Sequence, residues 1–235
     1  MQTIIQTLGN KEEFVRAAAE FIRDEAQAAI TAKGRFHLVL SGGSTPKDIY
    51  RALALPEYSD QIDWNGVVCF FGDERRVPLD HMDSNFLMAW KTLLSRVPIP
   101  DENILPMPVE LDPEQAAAEY EHALRLAPGQ DSRPDLDLIL LGLGADGHTA
   151  SLFPDSPALS ETKALVAAVD IPDMNPRVGR LTLTLPAMNH AAKVLFLAKE
   201  QGKEAALAGV LSGDRRFPAS RVRAREQVVW MILQD

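Results

Sequence analysis

The chain has 235 residues, 46% of them hydrophobic and 24% charged, proportions ordinary for a soluble globular protein and enough to bury one large core. A single domain spanning residues 1–235 is therefore expected. Its 33 acidic and 24 basic side chains leave a net charge of −9; no Lys/Arg stripe is present to neutralise nucleic-acid phosphates, although a small anionic substrate would need only a local cluster of donors.

The single cysteine, Cys69, lies within the apolar run VVCFF. One thiol can form neither an internal disulfide nor a cysteine metal cluster, and it reads as a small buried hydrophobe in a reducing compartment. The opening stretch MQTIIQTLGNKEEF lacks the basic-then-apolar order of a secretory leader, and no run approaches the ~18 apolar residues of a membrane span. A cytoplasmic protein with no membrane partner is expected.

In chain order, TIIQTL predicts a short strand and residues 11–32 a helix whose inner face carries Phe14, Ala17, Ala18, Phe21, Ile22 and Ala26, with Asn10 as its N-cap. FHLVL is a second strand running into SGGSTPKDIYRAL, where Pro46 fits the first turn of a helix. VVCFF leads into GDERR; SNFLMAWKTLLSRV and DPEQAAAEYEHALRLA follow as helices, with the Pro-rich piece 97–113 between them as a long surface connection and a weak candidate boundary. LDLILL, LVAAV, KVLFLA and QVVWMIL complete the strands, and KEQGKEAALAGVL is mostly helix. Continuous apolar strands alternating with amphipathic helices predict an α/β fold with a largely parallel sheet covered on both faces.

Ligands of such sheets bind beyond the carboxyl ends of the strands. Three such ends carry chemistry here: SGGST, GDERR and GADGH. If their strands are parallel neighbours, the three converge on one rim.

SGGST offers backbone N–H groups to an anion at a helix N-terminus, or else a plain tight turn and helix start. It lacks the lysine and spacing of a nucleotide-binding P-loop. GLGADG matches a dinucleotide fingerprint by letters, with Asp170 as its acid, but Pro154 and Pro157 preclude the long helix that motif opens. Asp146 and His148 can act as orienting carboxylate and general base, since a free imidazole titrates near ~6.5; the duller reading is a turn with a capping histidine. Asp73, Glu74, Arg75 and Arg76 are either a solvated cluster or part of the same rim, and Arg180 and Lys203 either surface charges or an anion pocket's remainder. No metal-ligand spacing and no serine nucleophile elbow appear, so no cofactor is expected.

Taken together, SGGSTP, GDERRVP with HMDSN, GLGADGHTASLFP, RLTLTLPAMN and the GKEAAL lysine resemble, in order and over nearly the whole chain, the 6-phosphogluconolactonases. That resemblance implies a three-layer α/β/α sandwich of the sugar-phosphate isomerase type with a Rossmann-like sheet, no metal, and hydrolysis of 6-phosphoglucono-1,5-lactone as the small-molecule partner. By position it implies that Gly42, Gly43, Ser44, Thr45, Arg180 and Lys203 bind substrate, mainly its phosphate, and that Asp73, Arg75, Asp146 and His148 serve the reaction. The sister glucosamine-6-phosphate deaminases are the alternative, but their related motif has a glutamate where this chain has Phe153. A non-catalytic sugar-phosphate-binding regulator is a third reading, disfavoured because the chain begins directly with its first strand and keeps both Asp146 and His148. Oligomeric state is not legible.

Overall fold

The computed structural model of the chain describes residues 2–126 and 134–234. In chain order its elements are β1 (Gln2–Leu8), α1 (Lys11–Lys33), β2 (Phe36–Leu40), α2 (Ser44–Leu53), α3 (Pro56–Ser59), β3 (Val67–Phe71), β4 (Asp73–Arg75), α4 (Asn85–Thr92), α5 (Pro113–Arg125), β5 (Leu138–Leu141), β6 (Val166–Val169), β7 (Arg180–Leu183), α6 (Leu185–Met188), β8 (Lys193–Lys199), α7 (Glu204–Leu211) and β9 (Gln227–Leu233).

Six strands form one sheet in the order β1-β9-β8-β5-β2-β3, with every pairing parallel. Helices on both sides make the three-layer sandwich the sequence predicts. The central strands β2, β3 and β5 are buried along their whole lengths, which is why they read as unbroken apolar runs rather than alternating ones. Edge strand β1 is exposed over most of its length. The chain moves outward from β2 to β3 in one direction and from β5 to β8 in the other, so the order reverses between β2 and β5. A crevice at their carboxyl ends is the place where such a sheet binds a ligand.

Asn10 caps α1 by accepting from the Glu13 amide, and Gly34 ends it in the left-handed region. Phe14, Ala18, Ala19, Ile22 and Ala26 are buried along one face, with Ala17 and Phe21 packed at its border.

The structure departs from the sequence reading in four places. GDERR does not simply extend β3: β4 belongs to a second, three-stranded antiparallel sheet, β4-β7-β6, that also takes the LVAAV strand. Gly72 joins the two sheets, its N–H donating to the Leu40 carbonyl and its own carbonyl accepting from Leu183. Residues 97–113 are not a loose surface connection, because Val97, Ile99, Ile104, Met107 and Val109 are buried and Ile104 bridges to Cys69 on the flank of β3. Helix α4 stops at Thr92, whose hydroxyl bonds back to the Met88 carbonyl, and α7 starts only at Glu204 because Gly202 turns the chain at φ 73°. The last residue of the predicted DPEQAAAEYEHALRLA helix, Ala127, lies outside the described residues. Cys69 is fully buried, and burial pushes its thiol up to about 12. That agrees with a packing role and leaves no thiolate for nucleophilic work.

One buried tyrosine ties the core to the end of β2. The Tyr50 hydroxyl accepts from the Ser41 amide and donates to the Ser41 carbonyl, both at 2.9 Å. Tyr50→Phe strands both backbone groups of Ser41, and we expect it to cost about 1–3 kcal/mol of unfolding free energy in a urea titration. A loss within the error of the titration would show that the start of the SGGS loop is held by other contacts.

Candidate active site

The loops after β2, β3 and β5 meet at one rim around a cavity of about 280 Å³, lined by Ser41 to Pro46, Asp73, Arg75, Asn85, Gly142 to Gly144, His148 to Ala150, Leu197 and Lys203. Of the residues singled out from sequence, Gly42, Gly43, Ser44, Thr45, Asp73, Arg75, His148 and Lys203 line it together. Asp146 stands behind His148, and Arg180 is not in the lining.

At one end of the cavity α2 begins without a side-chain cap. Its third residue, Pro46, has no N–H to offer, and the Ser44 and Thr45 amides precede it in the first turn. An uncapped N-terminus of a ten-residue helix carries unsatisfied donors and the positive end of the helix dipole, a ready receptor for a phosphate or carboxylate. Lys203 reaches the same cavity and donates to the Leu143 carbonyl at 2.6 Å. Burial and the neighbouring Lys199 lower its pKa, so an anion there would restore the counter-charge that its burial removes.

The reaction end is built on the GADGH turn. The Gly144 amide donates to the His148 carbonyl at 2.8 Å and the Gly147 amide to the Gly144 carbonyl at 3.0 Å. A Cβ on Gly144 would lie 2.1 Å from His148 Nδ1 and 2.7 Å from Asp146 Oδ1, so only glycine leaves room for the pair. His148 Nδ1 lies 2.5 Å from Asp146 Oδ1, which also accepts from the His148 amide at 3.0 Å. Burial pushes the Asp146 carboxyl up, but the hydrogen bonds from His148 outweigh it and hold the group below the usual carboxylate range. An ionised carboxylate only accepts, so Nδ1 carries the proton that faces Asp146 and Nε2 is the ring nitrogen left for other partners. The Phe153 ring packs against the imidazole, centroids 4.9 Å apart.

Asp73 Oδ2 accepts from Ser151 Oγ at 2.7 Å, which fastens β4 to the far end of the same turn. Beside it, Glu74 accepts from Ser84 Oγ and from the Asn85 and Phe86 amides, capping α4. Burial raises the Glu74 pKa, although backbone hydrogen bonds from Asn85, Phe86 and Arg75 oppose the shift. Arg75 spends one Nη1 bond on the Asp83 carbonyl at 2.6 Å and still lines the cavity.

Arg180 pairs across the antiparallel register with Arg75. Its guanidinium donates to the Val178 carbonyl at 2.5 Å and the Pro176 carbonyl at 2.7 Å. Burial lowers its pKa, and the Arg75 charge adds to that effect. Arg180 thus holds residues 176–178 and stands behind Arg75, outside the cavity lining.

Sequence reasoning did not single out Ser151 or Asn85 as parts of this arrangement, and it named Glu74 only as a member of the DERR cluster. The signal was present in two motifs, since Ser151 lies in DGHTAS and Asn85 in HMDSN, but their partners are 78 and 12 residues away in the chain. Among the described residues no group of three or more His, Cys, Asp or Glu is arranged to hold a metal ion.

A family model described as glucosamine-6-phosphate isomerases/6-phosphogluconolactonase matches residues 9–230. The chain belongs to this family. A 6-phosphogluconolactonase from Nostoc sp. is 38% identical over 240 residues, covering 99% of this chain and 96% of the relative. The crystal structure of a 6-phosphogluconolactonase from Thermotoga maritima superposes with a TM-score of 0.87 at 34% identity, covering 99% of this chain and all of that one. A monomeric glucosamine-6-phosphate deaminase has a TM-score of 0.84 at 19% identity and 97% coverage of both chains, a likeness of fold alone.

Gly147 couples this turn to the rest of the molecule. It sits at φ 80°, its carbonyl accepts from the Ala219 amide at 3.0 Å, and a Cβ there would lie 2.4 Å from the Phe217 ring. Gly147→Ala combines left-handed strain with a displaced aromatic ring; we expect a loss of about 1–3 kcal/mol in chemical denaturation together with a fall in turnover from the disturbed His148. Wild-type stability and activity would mean that the turn relaxes without consequence.

Proposed function

We propose that this chain is a metal-independent, cytoplasmic lactonase, one domain over residues 1–235, that hydrolyses 6-phospho-D-glucono-1,5-lactone to 6-phospho-D-gluconate in the oxidative pentose phosphate pathway. The observation that carries the reading is the sharing of one cavity by an anion receptor, the α2 N-terminus with Lys203, and a general base, His148 held by Asp146. The relatives at 36–39% identity over nearly the whole chain support the same activity.

In this reading the Gly42 to Thr45 amides and Lys203 hold the phosphate, and the lactone carbonyl lies toward Arg75 and Asp73. His148 Nε2 removes a proton from water as the water oxygen bonds to C1, and Arg75 with nearby N–H groups stabilises the oxyanion. Collapse of the tetrahedral intermediate breaks the bond from C1 to the ring oxygen. The imidazolium returns its proton to that oxygen, which becomes the C5 hydroxyl, and the new carboxyl ionises. Asp146 stabilises the imidazolium throughout and does not itself take the proton. Phe153 against His148 offers no carboxyl for the proton transfers of an aminosugar-phosphate deaminase, which disfavours that alternative. Retention of the whole His148–Asp146 pair likewise disfavours a regulator that only binds.

His148→Ala is expected to lower kcat at least ~100-fold with the fold intact by circular dichroism; near-wild-type turnover would remove His148 from the mechanism. Because the His148 hydrogen bonds hold the Asp146 carboxyl below the usual carboxylate range, the carboxylate that orients the base keeps its charge as pH is lowered through that range, and its contribution to kcat is lost only below it. Asp146→Asn should lower kcat across the pH range in which the wild-type carboxylate is ionised, and an unchanged kcat profile would dissociate the pair.

Lys203→Ala tests the phosphate end. Removing a charged partner of a hydrogen-bonded anion costs roughly 2–4 kcal/mol, and phosphate contacts are similar in ground and transition states, so the loss falls mainly on KM. We expect kcat/KM for 6-phosphogluconolactone to drop about 30-fold or more while the slow hydrolysis of unphosphorylated gluconolactone barely changes. Equal losses on both substrates would assign Lys203 to the chemistry or the fold.

A further inference from the structure

Asn85, the first residue of α4, is 2% exposed and forms part of the cavity wall. Its Nδ2 donates to the Asp73 carbonyl at 2.9 Å and to Asp73 Oδ1 at 3.2 Å. Both partners only accept, so the amide nitrogen must face Asp73 and the carboxamide oxygen must face away from it. That oxygen lies over the SGGS loop, where a Cβ on Gly42 would come within 1.9 Å of it. No described donor reaches it, and it is not among the fully enclosed unpartnered atoms, which are Arg76 Nε and Ser156 Oγ. A side chain 98% buried thus presents an unused acceptor to the cavity between the phosphate receptor and Asp73.

The oxygen meets only the solvent of the cavity, and covering it with a ligand that offers no donor would cost about 1–3 kcal/mol, a penalty that a ligand's own donor avoids. The oxygen repels anions, and with the Asp73 carboxylate beside it the phosphate is excluded from this spot. What fits is a neutral donor. The lactone carries three such groups, the hydroxyls on C2, C3 and C4. We infer that Asn85 Oδ1 accepts a hydrogen bond from one ring hydroxyl of the substrate and is a specificity-determining residue of this site. The inference rests on the lactonase reading above. Two constraints give it selectivity: Asp73 fixes the orientation of the carboxamide, and Glu74 fixes the backbone that carries it through the Asn85 amide at 2.8 Å. A carboxamide held at both ends cannot swing to accommodate a sugar that lacks the hydroxyl, so such a sugar leaves the acceptor stranded.

The test is a cycle between protein and substrate. Wild type, Asn85→Ala and Asn85→Ser are assayed on 6-phosphogluconolactone and on its 2-deoxy, 3-deoxy and 4-deoxy forms, with a thermal melt of each protein. Turnover of the parent lactone by wild type tests the lactonase reading by itself. For Asn85, wild type should lose about tenfold or more in kcat/KM on one deoxy lactone. In the variants that same ratio of parent to deoxy should shrink to within about twofold, while the other two ratios stay as in wild type. A residue that only supports Asp73 would lower all four substrates by one factor and leave every ratio unchanged, and that result overturns the inference. The serine variant keeps a short donor for Asp73, so the ratio can be read even if the alanine variant fails to fold. Unchanged ratios in the serine variant then count equally against the proposal.

Discussion

Two adjacent carboxylates, Asp73 and Glu74, are buried where the chain leaves one sheet for the other. Removing such groups from water costs several kcal/mol each unless partners replace the solvent, and here the partners come from separate parts of the chain. Asp73 takes Ser151 from the catalytic turn and Asn85 from α4. Glu74 takes Ser84 and the first amides of α4. Satisfying the two acids therefore fixes the positions of β4, α4 and the GADGHTAS turn relative to one another. The geometry of the cavity is a by-product of that requirement: the wall between the α2 N-terminus and His148 is the hydrogen-bonded shell of Asp73.

The charge distribution raises a second constraint. A chain at −9 repels a dianionic sugar phosphate at long range, and the screening length at physiological salt is only about 8 Å. Recognition has to come from donors at contact distance. The fold supplies them largely without side chains, through the α2 N-terminus at the switch point between β2 and β5, and adds Lys203 and the Arg75–Arg180 pair as local cations. Placing two arginines opposite each other in an antiparallel pair is ordinarily unfavourable. Each is relieved by backbone carbonyls, those of Asp83 for Arg75 and of Pro176 and Val178 for Arg180. The residual positive potential is then available to a bound anion.

The parallel sheet was legible from sequence because burial on both faces leaves a plain mark, the unbroken runs FHLVL, VVCFF and LDLILL, and because adjacent parallel strands put their carboxyl ends on one rim. The dyad was legible because Asp146 and His148 are two residues apart in a glycine-rich turn. What escaped was non-local. The three-stranded sheet has short strands, one of only three residues, whose pattern merges with that of β3. The Asp73–Ser151 contact joins residues 78 apart, and no local periodicity encodes such a pair. The direction of the Arg180 side chain was not legible for a related reason: it is set by the register of β7 against β4.

The two ends of the cavity draw on different parts of the architecture. The proposed phosphate receptor rests on β2, α2 and the start of α7, where the donors are fixed by the fold. The reaction end rests on the glycine turn, where Gly144 admits the His148–Asp146 pair and Gly147 meets the Phe217 ring. That ring also fills the space beside Gly209 of α7, where a Cβ would lie 2.0 Å from it. One aromatic side chain thus packs against both the turn that carries His148 and the helix that follows Lys203. The separation between Lys203 and His148 is set by close packing through Phe217, and close-packed interiors yield little to small displacements. A δ-lactone is intrinsically reactive, so the main demand on such a site is to hold C1 within reach of the water that His148 activates. A spacing fixed by packing meets that demand.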